Sequence, residues 1–141
     1  KGDHSEILSG VWQDGPAVGS GLSNNFQFFK NGTYRFNYNE MDGTKRIISH
    51  SGVWKAGPKK ITITVKKIKL LIGGKWVKSS GSIATEFEIE GGKIFEKSIY
   101  PFETLDLSLG SFQKEELQVT AKIDGIKYWK LSSDPNTYTN D

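Results

Sequence analysis

The chain has no cysteine, one methionine, two histidines and four prolines among its 141 residues. Without cysteine there is no disulfide framework, no thiolate zinc site and no thiol nucleophile. The histidines, His4 and His50, stand far apart, and no acid lies near His50 in sequence, so neither a metal site nor any bound cofactor is expected. No apolar run approaches the roughly 20 residues of a membrane-spanning helix. A hydrolase elbow of the Gly-x-Ser-x-Gly type is missing, and Gly19-Ser20-Gly21 is too short to stand in for it. Only 35% of residues are hydrophobic, which suits strands that need one apolar face each.

The length favours one domain, large enough to bury roughly two-thirds of its unfolded surface. The expected plan is a flexible N-terminal segment over 1–6, one β-barrel domain over 7–131 and a frayed polar tail over 132–141. The start at Lys1 rather than Met is read as a processed end, and the polar opening residues carry no signal-peptide core.

What the chain has is aromatic residues, glycine and sorted charge. There are 8 Phe, 5 Tyr, 4 Trp and 16 Gly. The net charge of +3 hides a division: ten basic residues and no acid lie between Gly43 and Thr85, and all sixteen acids lie elsewhere. In a closed meander, this sorting predicts two faces of opposite sign.

The dominant pattern is alternation. Strands are expected over Ile7–Gln13, Asn25–Lys30, Thr33–Glu40, Lys45–Lys55, Lys60–Ile72, Trp76–Glu90 (bent at Gly81), Lys93–Leu109, Phe112–Ile123 and Ile126–Leu131. Asn31-Gly32 is read as a type I′ hairpin turn and Asp124-Gly125 as a second hairpin turn. Gly73-Gly74 and Gly91-Gly92 mark further turns, and Pro101 marks a bulge or an edge. Asp14 to Asn24 is the one long connection. The fold class is all-β, and eight to ten antiparallel strands most economically close into an up-and-down barrel. An open sandwich is the alternative.

Several segments resemble a known family. Gly10-Val11-Trp12 on the first strand looks like the Gly-x-Trp signature of lipocalins and the wider calycin group. Asn31-Gly32-Thr33-Tyr34, Ser51-Gly52-Val53-Trp54 and Ile61-Thr62-Ile63-Thr64 are similar to the rhythm of small lipocalin-like domains of bacterial secreted proteins and lipoproteins. The resemblance implies that Gly10 and Trp12 close one end of the barrel. Lipocalins place an Arg on the last strand against that Trp; the last strand here offers Lys130 or Lys127. The resemblance also implies a secreted or cell-envelope location, with peripheral membrane attachment through a processed N-terminus.

Phe26, Phe28, Tyr34, Phe36 and Tyr38 lie on one hairpin and could line a cavity for an apolar ligand, as small barrels of about eight strands allow. Ordinary core packing explains the same residues. Period-two counting puts Arg46, Ile48, His50, Gly52 and Trp54 on one face. If Trp54 points inward, Arg46 and His50 would orient a ligand anion, with Gly52 leaving room; the opposite orientation is the alternative. Glu86, Glu88 and Glu90 read as a solvated face. The Lys-rich middle strands suggest a surface module that docks an anionic polymer, membrane or protein; specific nucleic-acid readout is not expected from so few arginines. A third reading is a calycin-type isomerase or cyclase using His50, Arg46 and Tyr34. The preferred expectation is a monomeric, non-enzymatic barrel that binds a small apolar or amphipathic molecule.

Overall fold

The computed structural model describes residues 4–15, 23–81 and 85–138. A one-turn helix α1 (Ser5–Leu8) precedes eleven strands: β1 (Gly10–Gln13), β2 (Asn25–Phe28), β3 (Thr33–Asn37), β4 (Ile47–Ala56), β5 (Lys60–Ile72), β6 (Lys75–Lys78), β7 (Phe87–Glu90), β8 (Lys93–Ser108), β9 (Gln113–Glu115), β10 (Gln118–Ile123) and β11 (Ile126–Ser132). Nine strands form one antiparallel sheet in the order β8-β5-β4-β3-β2-β1-β11-β10-β9, and β6 pairs with β7 separately. The all-β, antiparallel expectation therefore holds. Residues 1–3, 16–22, 82–84 and 139–141 lie outside the described residues.

Local sequence explains where strands begin and stop. At Asp124-Gly125 both residues have positive φ, 57° and 83°, as a type I′ turn requires. At Asn31-Gly32 only Gly32 has positive φ, and its N–H donates to the Phe29 carbonyl. This is a longer hairpin loop with one left-handed residue, not the expected two-residue turn. The Asn31 side chain accepts from the Thr33 amide and hydroxyl, which offers the backbone a local alternative to extending the ladder. The strand expected over Trp76–Glu90 is two strands, β6 and β7, folded against each other. The small polar residues Ser79, Ser80 and Gly81 break it. The segment expected at Phe112–Ile123 also divides, at Glu116, whose φ is 56°.

Among the described residues the sheet does not close into a continuous barrel. Its ends are β8 and β9. Among the described residues, β8 approaches β10 through a bridge at Leu109–Ile123, flanked by Gly110 N–H to the Lys122 carbonyl and Asp124 N–H to the Ser108 carbonyl. Elsewhere the long strand β8 is an edge, with nearly every residue exposed. Pro101 sits in this edge strand. Around it, Ile99 to Phe102 stand opposite Lys66 alone, between the pairs Val65–Glu103 and Lys67–Ser98.

The two faces of the sheet are both buried near its centre, by different chemistry. One face carries the apolar core, including Trp12, Phe26, Phe28, Tyr34, Phe36, Trp54, Ile61, Ile63 and Tyr128. On the opposite face Gln13, Asn25, Asn37 and Ser49 follow one another in register across four strands, and all are buried. Asn37 Nδ2 donates to Asn25 Oδ1 and Gln27 Oε1, both at 2.9 Å. Gln27 Nε2 in turn donates to the carbonyls of Pro135 and Tyr138. The segment expected as a frayed tail thus contains a 3-10 turn at Pro135–Thr137, with Pro135 and Tyr138 buried against this row.

The charge sorting does not make two opposed faces. Strands of opposite sign pair side by side. Lys60 meets Asp106 at 3.4 Å, Lys69 stands across from Glu96, and Lys75 stands across from Glu90. A basic run and an acidic run become neighbours because one hairpin arm, β5–β6 and β7–β8, brings them together.

Candidate functional site

Antiparallel register assembles the aromatic cluster from short strands. Trp12 pairs with Phe26, Phe26 with Phe36, and Phe36 with His50. Directly paired residues share a face, so these rings form one row across β1 to β4. Phe28, Tyr34 and Gly52 form the next row. The rings pack on one another: Phe26 stacks on Phe28 at 5.0 Å and meets Phe36 edge-on at 4.6 Å, while Phe28 tilts against Trp54 at 4.7 Å. The Trp54 indole N–H donates to the Phe29 carbonyl. At this depth, Phe26, Phe28, Tyr34, Phe36 and Trp54 are floor and core together.

His50 sits at the upper edge of that floor. Its ring stacks on Phe36 at 5.1 Å and lies edge-on to Tyr34 and Tyr38. The Tyr34 hydroxyl is 2.8 Å from His50 Nδ1. Burial holds the imidazole down to about 4, because an apolar surrounding disfavours the charged ring. Burial also raises Tyr34, with the charges of Tyr38 and Glu103 adding to it. It raises Tyr38 as well. At neutral pH the pair is therefore uncharged. When the hydroxyl donates to Nδ1, the ring proton sits on Nε2.

Beyond His50 the same face opens. Its cross-strand row continues through Ile68 to Lys97, and Leu70 pairs with Phe95. Tyr38, Ile68 and Leu70 are half-buried, and Phe95 is 48% exposed. The face thus runs from a dry aromatic floor to an apolar wall with an ammonium at its rim.

Arg46 does not join His50. Its side chain is exposed and donates to the carbonyls of Leu71 and Gly73, at 3.2 and 2.7 Å. The period-two count fails because Ile48 is an extra residue in β4, between the pairs Ile47–Leu70 and Ser49–Lys69. A bulge shifts every side chain beyond it relative to simple alternation. The room expected at Gly52 is also taken: a Cβ there would collide with the Thr64 carbonyl of β5. The anion grip expected from Arg46 and His50 together is therefore not assembled.

At the other end Trp12 is fully buried, and its indole N–H donates to the Leu8 carbonyl at 2.9 Å. Lys130 lies over the Trp12 ring at 5.7 Å and donates to the Ile7 carbonyl at 2.6 Å. Gly10 has φ of 138°, and a side chain there would meet the Ser132 carbonyl. Sequence reasoning missed Tyr128, which packs 5.5 Å from Phe26, and the Ile68, Leu70 and Phe95 wall. Alternation in β5 carries a signal for Ile68 and Leu70, but the register with β8 is needed to bring Phe95 beside them. No protein-family model, no curated protein and no solved structure matches the chain.

Proposed function

We propose that the protein is a non-enzymatic, lipocalin-like binding module for a small apolar or amphipathic molecule, exported to the cell envelope or beyond. The observation that carries the reading is the graded face. Apolar side chains run from the buried Phe26 and Phe36, past the half-buried His50, to the half-buried Tyr38, Ile68 and Leu70. A ligand lying there would bury apolar surface at about 25 cal/mol per Å². The Tyr34–His50 pair supplies a neutral polar group at the floor, and Lys97 supplies a charge for a polar head at the rim. Small-ligand sites have this composition, mostly apolar with few convergent polar groups.

The neutral fluorophore N-phenyl-1-naphthylamine tests the reading. Saturable fluorescence enhancement at one equivalent is expected, weakened by Ile68→Glu and unaffected by Trp76→Ala on the distant β6–β7 hairpin. The absence of saturation, or equal loss in both variants, would sink it.

A further inference from the structure

The face opposite the aromatic cluster carries a groove. Gln27, Arg35, Ser51 and Lys67 follow one another in register across β2, β3, β4 and β5. Gln27 is covered by the Pro135–Tyr138 segment through its two hydrogen bonds, and Asn136 of that segment walls the next positions. The result is a groove of about 560 Å³ whose lining includes Tyr34, Arg35, Ser51, Lys66, Lys67 and Asn136 and, among the described residues, no acid.

The register of this groove differs from that of three other lysines of the hairpin arm. Lys60, Lys69 and Lys75 each have an acid beside or across from them. Lys67 stands across from Ser98 on one side and Ser51 on the other. Arg35 stands between Gln27 and Ser51. The Lys66 ammonium lies 5.1 Å from the Phe102 ring, and among the described residues no carboxylate forms an ion pair with it. Adjacent strands are about 4.8 Å apart. Arg35 and Lys67, with one short serine between them, are thus spaced so that a tetrahedral oxyanion above Ser51 is reached from both sides. The planar Arg fork grips two oxygens, the Lys acts as a point charge, and the Ser51 hydroxyl can serve as a further donor.

We propose that this groove binds the phosphate or sulfate group of a small molecule, with Arg35 and Lys67 as its two charged contacts. The test is a titration with inorganic phosphate, and separately with sulfate, at constant physiological ionic strength, followed by amide chemical shifts. Saturable shifts centred on Arg35, Ser51 and Lys67 are expected. The Arg35→Gln/Lys67→Gln double variant should weaken binding by about tenfold or more, the loss of a charge-assisted contact. These side chains are exposed, and an unchanged thermal midpoint would show the variant to be folded. Lys60→Gln/Lys75→Gln, with the same change in charge, should bind as the parent does. Shifts that never saturate, or equal weakening in both double variants, would overturn the proposal.

Discussion

The Tyr34 hydroxyl and His50 Nδ1 lie 2.8 Å apart, a contact made diagonally between register rows, because Tyr34 pairs with Gly52 and His50 with Phe36. It places the cluster's one imidazole where burial holds it neutral. The folded value of about 4 lies below the ordinary value near 6.5, so between these pH values the unfolded chain binds the proton more tightly. Stability from this group is complete above about pH 6.5 and falls as pH drops toward 4. The ring keeps some solvent contact, so the loss stays below about 3 kcal/mol. Denaturant midpoints between pH 7 and 4, together with a titration of the His50 ring protons, check this. A His50 that titrates near 6.5 would contradict it.

Tyr34→Phe removes the hydroxyl and leaves the half-buried His50 Nδ1 without its partner. A cost of about 1–2 kcal/mol is expected, and the ring nitrogen shifts should report loss of the Nδ1 hydrogen bond. An unchanged midpoint with unchanged nitrogen shifts would show that the pair is not formed in solution.

Gly52→Ala and Gly32→Ala separate two reasons for glycine. At Gly52 a Cβ meets the Thr64 carbonyl, a main-chain atom that cannot yield without moving β5. A loss of about 3 kcal/mol or more is expected there. At Gly32 nothing lies near the added atom, but φ is 91°, so about 1–2 kcal/mol is expected from backbone conformation alone. Urea melts of both variants give the comparison, and a Gly52→Ala no worse than Gly32→Ala would refute the close approach of β4 and β5.

Gln27→Ala removes the link between the carboxamide row and the C-terminal segment. The Pro135 and Tyr138 carbonyls lose their donor, and Asn37 Nδ2 loses one of its two acceptors. About 2–3 kcal/mol of destabilisation is expected from these buried groups, with faster amide exchange at residues 135–138. Exchange that does not change there would mean that other contacts hold this segment.

Much of the fold is legible in the alternation. Ile61, Ile63 and Val65 against Thr62, Thr64 and Lys66 define β5, whose observed bounds are those expected. The aromatic floor follows from the same reasoning, since Phe26, Phe28, Tyr34 and Phe36 occupy one face of one hairpin. What alternation cannot carry is a change of phase or a distant cover. The extra residue at Ile48 redirects Arg46, and nothing in the side-chain pattern of 45–55 marks it. The Asn25–Asn37 row reads as a solvent face because the segment that buries it lies about a hundred positions away. The charge split is plain in sequence, yet its meaning changes once β5 and β8 pair, because Lys60 and Lys69 come to stand across from Asp106-bearing and Glu96-bearing stretches of β8, while Lys67 stands across from Ser98.

The central claim is that the face bearing Tyr34 and His50 receives a small apolar molecule. Intermolecular nuclear Overhauser contacts, measured on the protein saturated with N-phenyl-1-naphthylamine, test it most directly. Contacts from the probe to the side-chain protons of Tyr38, His50, Ile68 and Leu70 are the predicted result. Contacts confined to exposed rings such as Trp76 and Phe87, 62% and 41% accessible on the separate hairpin, would contradict it.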